Sequence, residues 1–236
     1  MNILKQIVTL FYPNICAGCG RIIDEEDDFC DYCYGFLSRS DLGKFCIKCG
    51  NQKTSCQCSR TVYHFEGAVA PFSTEGIAKK AMYAFKFRQK ENYAELFARQ
   101  MALSVKQAFF EVEFDAVICV PMAKRDKFRR GYNQSELLAV KLAQILNLPY
   151  YPDALGCVKK KKPQHLTRYK ERRENVKGIY FINKPLKNKT VLLVDDIKSS
   201  GATLEECTLQ LLESGAYKVY CVTGCVTKMK GKKNGN

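Results

Sequence analysis

The 236-residue chain has no long hydrophobic run and only two histidines, His64 and His165. Its N-terminal apolar stretch, Ile7 to Tyr12, is far too short to cross a bilayer, and no small-residue cleavage site follows it. Neither a membrane span nor a secretory leader is expected, which points to the cytoplasm. Isolated histidines are more often incidental than catalytic, so imidazole chemistry has little to stand on. Acid is scarce as well: 24 Asp+Glu against 38 Lys+Arg leave a formal charge of +14. Such a surface attracts polyanions such as phosphates, nucleotides or nucleic acid, without choosing among them. A 46% hydrophobic composition excludes global disorder, and the length suits one α/β domain plus a small module.

Cysteine is what the chain has in excess. Of thirteen, eight fall between Cys16 and Cys58, and this change in composition marks a boundary near residue 60. Residues 1–60 are therefore expected to form a cysteine-rich module and residues 61–236 an α/β domain. In a reducing compartment, clustered thiols indicate metal rather than disulfides. Cys16-Ala-Gly-Cys19 and Cys30-Asp-Tyr-Cys33 are two CxxC knuckles ten residues apart, a spacing that lets four thiolates converge on one Zn²⁺. Cys46-Ile-Lys-Cys49 with Cys56-Gln-Cys58 supplies a second set of four; pairing is either sequential or interleaved. Sulfur fills every protein position, leaving no place for an activated water, so the zinc is structural. The basic residues beside the knuckles, Arg21, Lys44, Lys48, Lys53 and Arg60, read as a solvated face more readily than as a nucleic-acid contact.

Beyond residue 60, helical and strand-like segments alternate, the pattern of a parallel sheet flanked by helices. One helix spans 91–110, with Leu96, Phe97, Met101 and Val105 near one face. The apolar run 116–120 ending at Pro121 suits a buried strand. Ser135 is placed to cap a helix through Leu138, Leu142, Ile145 and Leu146. A second strand is expected over 190–194, a helix over 203–214 closed by Gly215, a third strand over 218–223, and a frayed basic tail over 228–236.

The segment from Val191 to Thr203 is the most informative. Four apolar residues build a central strand, and Asp195 and Asp196 follow where it ends, the edge at which open α/β sheets hold ligands. A loop of small hydroxylated residues then leads into a helix whose first amides can cradle a phosphate, assisted by Ser199, Ser200 and Thr203. Gly201 permits close approach of the chain. Two carboxylates repel a phosphate, so they need a hydrogen-bond donor, and a ribose 2′,3′-diol fits. Acids for a sugar diol beside a nest for its 5′-phosphate resemble the motif by which type I phosphoribosyltransferases bind 5-phosphoribosyl-1-pyrophosphate (PRPP). Lys198, Ser199, Ser200, Gly201, Ala202 and Thr203 match that motif, with serines at 199 and 200 where the family usually has threonines.

Together with the N-terminal knuckles, this resembles the ComF family, over essentially the whole chain. A second carrier is Val120-Pro121, a basic stretch and Arg130-Gly131-Tyr132-Asn133-Gln134. A third is Gln164 followed by Arg172, Arg173 and Asn175. The resemblance implies a type I phosphoribosyltransferase-like fold behind a zinc-ribbon-like module, PRPP as ligand with Mg²⁺, and a role in natural competence. Incoming single-stranded DNA would then be handled in the cytoplasm with helicase and recombination partners. Asp195 and Asp196 take the catalytic positions. The residues themselves offer no general base for an acceptor, so the acceptor stays open.

A loop after a buried strand bearing Lys124, Arg125, Lys127, Arg129 and Arg130 suits a pyrophosphate, with Lys124, Arg125 and Arg130 its expected contacts. Lys86 and Arg88 lie on a segment that similar proteins also keep basic. Lys159 to Lys162 and Arg168 to Arg173 make a long basic stretch that reads as a lid over a sugar phosphate or a track for single-stranded nucleic acid, with Tyr169 for stacking. A nucleic-acid-binding adaptor that uses the fold as a scaffold is the rival to a PRPP enzyme, implied by the competence role of the resemblance and motivated independently by the charge.

Overall fold

A computed structural model describes residues 13–24, 27–37, 42–56, 58–87, 91–158 and 176–227. In chain order the elements are α1 (Asp31–Gly35), β1 (Gly67–Val69), β2 (Phe72–Ser73), α2 (Gly76–Phe87), α3 (Tyr93–Ala108), β3 (Ala116–Cys119), α4 (Lys124–Arg130) and α5 (Gln134–Leu146). They continue with β4 (Leu155–Cys157), β5 (Tyr180–Ile182), β6 (Thr190–Lys198), α6 (Ala202–Glu213) and β7 (Lys218–Val226).

The main sheet is parallel throughout, in the order β1-β7-β6-β3, with β2 pairing the far end of β7. Pro71 sits between β1 and β2; without an N–H it cannot donate to the ladder, and pairing with β7 breaks there into two short strands. β6 lies between β3 and β7, and Val191 to Val194 have no exposed surface, as expected for a strand covered on both faces. β4 and β5 form a separate two-stranded antiparallel sheet.

Alternation along β6 sorts the core into two layers. Leu192 and Val194 pack with Met82, Phe85, Phe97 and Leu138 from α2, α3 and α5. Val191 and Leu193 pack with Leu204, Cys207 and Leu211 of α6. The cysteine segment divides between these layers: Cys16, Ala17, Phe29 and Cys33 join the first, and Cys49, with Tyr63 and Phe65, joins the second.

Three local expectations change. β6 runs four residues past Val194 to Lys198, because its ladder with β7 continues through Ile197–Cys225 and Lys198–Val226. Asp195 and Asp196 therefore stand on the strand rather than after it, and the loop shrinks to Ser199–Ser200–Gly201. The basic run after β3 is a helix, α4, not a loop; Asp126 in its first turn and three cations in its last suit the helix dipole. Asn133 caps α5, its side chain accepting from the Ser135 N–H, while Ser135 lies inside the helix with its hydroxyl free for another partner. The long basic stretch, Gln164, Arg172, Arg173, Asn175, His165, Arg88 and the tail lie outside the described residues.

Candidate functional site

The carboxyl edge of β6 gathers side chains from four elements. Asp195 Oδ1 accepts from the Ser135 hydroxyl at 2.7 Å and from the Asp196 N–H at 2.8 Å. Burial pushes the Asp195 carboxyl up to about 7, and the neighbouring Asp196 charge adds to this, while its two donors and Lys86 oppose it. Asp196 takes the other direction out of the strand and pairs with Lys86 Nζ of α2 at 2.7 Å, in a mostly buried setting. The paired acids are thus held separately, one by a hydroxyl and one by a cation.

The Arg130-Gly131-Tyr132-Asn133-Gln134 stretch organises this edge. Tyr132 donates its hydroxyl to the Phe85 carbonyl and Gln134 donates Nε2 to the Lys86 carbonyl, fixing the end of α2. Asn133 Nδ2 reaches the Val120 carbonyl, tying α5 to the end of β3. Arg130 lies 5.6 Å from the Phe87 ring centroid, beside this clamp. Lys124 and Arg125, on the same short helix, are exposed.

Past β6, Gly201 adopts φ 78°, the left-handed geometry that turns the chain into α6. Ser200 Oγ accepts from the Ala202 N–H at 3.3 Å; Ser200 and Ala202 are buried, and Ser199 and Thr203 half-buried. Tyr180 of β5 meets the Thr203 side chain, and burial drives its phenol well above the ordinary value. Lys198 does not join this turn. Its Nζ donates to Asn51 Oδ1 in the second cysteine knuckle at 2.9 Å, with the side chain buried. Ser135, Tyr132, Tyr180 and Asn51 are site neighbours to which the sequence assigned no role at the site. Tyr132 lies within, and Ser135 directly after, the Arg130–Gln134 stretch that the sequence singled out, but that stretch does not name their distant partners.

The cysteines settle the pairing as sequential: Cys16, Cys19, Cys30 and Cys33 form one cluster, and Cys46, Cys49, Cys56 and Cys58 the other, every sulfur within 4.8 Å of its fellows. Zn–S arms of about 2.3 Å give a tetrahedron with edges of about 3.8 Å. The Sγ separations match: 3.7 Å for Cys19–Cys30, 3.8 Å for Cys46–Cys58 and 3.7 Å for Cys49–Cys56. Burial alone would raise the Cys16 thiol, but the N–H groups of Cys30, Cys19 and Gly18 reverse that and hold it at about 6, whereas burial and the neighbouring sulfurs push the Cys33 thiol well up. Both clusters fit a structural zinc.

A concavity of about 450 Å³ lined by Val140, Gln144, Pro149 and Tyr150 lies on the outer side of α5. It has no charged group and is no rival for a sugar phosphate. Among the described residues, no helix is long and apolar enough to cross a membrane.

Residues 7–64 match a family model described as a double zinc ribbon domain. Over 223 residues the chain is 26% identical to the DNA utilization protein YhgH of Shigella flexneri, covering 92% of this chain and 93% of that protein. It is 27% identical over 214 residues to Competence protein F of Haemophilus influenzae, covering 87% of each. Among solved structures, purine phosphoribosyltransferase from Pyrococcus horikoshii is similar over 60% of this chain and 95% of that one, at 17% identity and a TM-score of 0.34.

Proposed function

From the premise that this chain is a homologue of Competence protein F and the YhgH proteins, a double zinc ribbon set into a parallel α/β sheet, we propose that it binds PRPP at the end of β6. We place it in the cytoplasm, in the uptake and processing of single-stranded DNA during natural competence. The observation that carries this reading is one continuous run: Asp195 and Asp196 on an inner strand, a left-handed Gly201, and the start of α6.

Asp195 and Asp196 accept the ribose hydroxyls and offset positive charge on the sugar as its bond to pyrophosphate breaks. Ser199, Ser200, Gly201, Ala202 and Thr203 surround the 5′-phosphate, which lies at the positive end of the α6 dipole. Lys124, Arg125 and Arg130 stabilise the departing pyrophosphate. Mg²⁺ would enter with PRPP beside Asp195 and Asp196 and would supply positive charge that eases departure of the pyrophosphate. Ser135 keeps Asp195 oriented, and Lys86 must yield Asp196 for a diol to reach it. No residue is assigned to an acceptor, so the proposal extends to PRPP binding and to stabilising pyrophosphate as the leaving group when an acceptor bonds to the ribose C1. Calorimetry with PRPP and Mg²⁺ tests it: binding is expected for the native protein and at least hundredfold weaker binding for Asp195→Asn/Asp196→Asn, and equal heats in the two sink the reading.

A second reading, a single-stranded DNA adaptor, draws on α4. Phe128 is 91% exposed among Lys124, Arg125, Lys127 and Arg129, a ring on which a base can stack beside cations for its phosphates. It predicts oligonucleotide affinity that falls steeply with salt and drops with Phe128→Ala. Competition between PRPP and the oligonucleotide separates shared from independent sites.

A further inference from the structure

Lys198 is the residue before the phosphate turn, and the sequence suggests a cation for the phosphate. Its side chain instead runs into the second zinc knuckle, where Nζ donates to Asn51 Oδ1 at 2.9 Å. Asn51 is 2% and Lys198 3% exposed. Among the described residues Lys198 makes no ion pair with a carboxylate, and a buried ammonium needs compensating negative charge. Burial lowers the Lys198 ammonium below its ordinary pKa, and the sulfurs of Cys49, Cys221, Cys58 and Cys46 oppose that shift. Four thiolates around Zn²⁺ keep a net charge of about −2, which is the compensation required.

Asn51 is built to transmit this. Its backbone N–H meets the Cys49 sulfur, its carbonyl accepts from the Cys46 N–H at 2.8 Å, and its side-chain oxygen takes the Lys198 ammonium. One residue thus touches the metal ligands with its backbone and the phosphate turn's lysine with its side chain. At the other end, the Lys198 stem underlies the turn: a Cβ on Gly201 would stand 3.2 Å from Lys198 Cε and 3.5 Å from the Tyr63 ring. The turn's left-handed glycine therefore rests on a side chain anchored in the zinc ribbon. The first knuckle shows what the arrangement adds. Arg21 occupies the place of Asn51, its carbonyl accepting from Cys16 N–H at 2.7 Å, yet its side chain is exposed.

We infer that Asn51 and Lys198 are positioning residues: they couple the second zinc site to the turn at Ser199–Ser200–Gly201, so that the loaded ribbon holds the turn in its anion-binding shape. The identity of that anion rests on the proposed function; the coupling does not.

The test uses the full chain loaded with zinc. Native mass spectrometry counts the metal, hydrogen–deuterium exchange follows residues 198–206, and calorimetry measures PRPP with Mg²⁺. Asn51→Leu and Lys198→Met are expected to keep both zinc ions, to speed exchange in 198–206 by about tenfold or more, and to weaken PRPP by a similar factor, the scale of one lost charge-assisted hydrogen bond. Arg21→Leu leaves all three readouts at the native values. Native-like exchange in 198–206 in both zinc-loaded variants overturns the inference. Should Asn51→Leu shed a zinc, Lys198→Met, which lies outside the ribbon, decides by the same criterion. If the native protein gives no heat with PRPP while exchange still responds, the PRPP reading falls and the coupling stands.

Discussion

The two zinc knuckles begin as the same local structure and end on opposite faces of the sheet. Each has a CxxC turn closed by a left-handed glycine, Gly20 at φ 77° and Gly50 at φ 67°. Each is pinned by a short bridge, Ile15 to Ile22 in one and Phe45 to Gln52 in the other. Their surroundings differ. The first presses Cys16 and Cys33 against the α2–α3 layer, reinforced by an ion pair from Asp28 to Arg99, and leaves Cys19 exposed. The second buries Cys49 against the α6 layer, with Ala68 N–H donating to the Ile47 carbonyl and His64 bonded to Glu205 in the first turn of α6. Matching CxxC turns thus serve different ends, one closing the back of a helical layer and one sitting beneath the candidate phosphate turn. What distinguishes them is the residue after the glycine, Arg21 or Asn51, together with what it can afford to bury.

The sharpest way to break that comparison is to remove a ligand from each knuckle. A structural zinc site carries on the order of 10 kcal/mol of folding free energy. Cys49→Ser, at a fully buried ligand beneath Tyr63 and Phe65, is expected to abolish the cooperative calorimetric melt, whereas Cys19→Ser loses one zinc by native mass spectrometry and still melts cooperatively. Equal melts would mean that both knuckles support the core alike.

The glycines give a smaller contrast. A Cβ at Gly50 would stand 2.8 Å from the Ala68 carbonyl oxygen, while one at Gly20 meets nothing within 4 Å. Both substitutions incur the left-handed penalty of about 1 kcal/mol, and Gly50→Ala adds an overpacking cost, for about 3 kcal/mol in all by urea unfolding. Smaller again are the ties to helices. Glu205→Ala strands the His64 N–H next to a buried position and is expected to cost about 2 kcal/mol. Arg99→Ala opens a half-exposed ion pair and is expected to cost about 0.5 kcal/mol in the same titration. A reversed order would place the firmer docking at the first knuckle.

Local patterns were readable where chemistry is local. Eight clustered cysteines announced the metal, and the run from Val191 to Thr203 announced strand, acids, turn and helix, because each depends on neighbours in the chain. Three features were not readable for the same reason. Nothing near Ser135 says that its hydroxyl meets Asp195 sixty residues later rather than capping its own helix. The cations from Lys124 to Arg130 carry no apolar stripe, so their helix left no hydrophobic period to detect. Lys198 looks like a phosphate ligand until Asn51, 147 residues earlier, is seen to hold it.

The amino-acid sequence by itself determined that the chain binds metal through thiolates, builds a parallel α/β sheet and presents two acids ahead of a phosphate-type turn, since spacing and periodicity suffice for each. Only the tertiary structure decided that the thiols pair sequentially, that the two ribbons seal opposite faces, and that Lys198 points toward Asn51 beside the second cysteine cluster. Those outcomes depend on which buried charge finds which distant partner, and a linear pattern holds no record of distance in space.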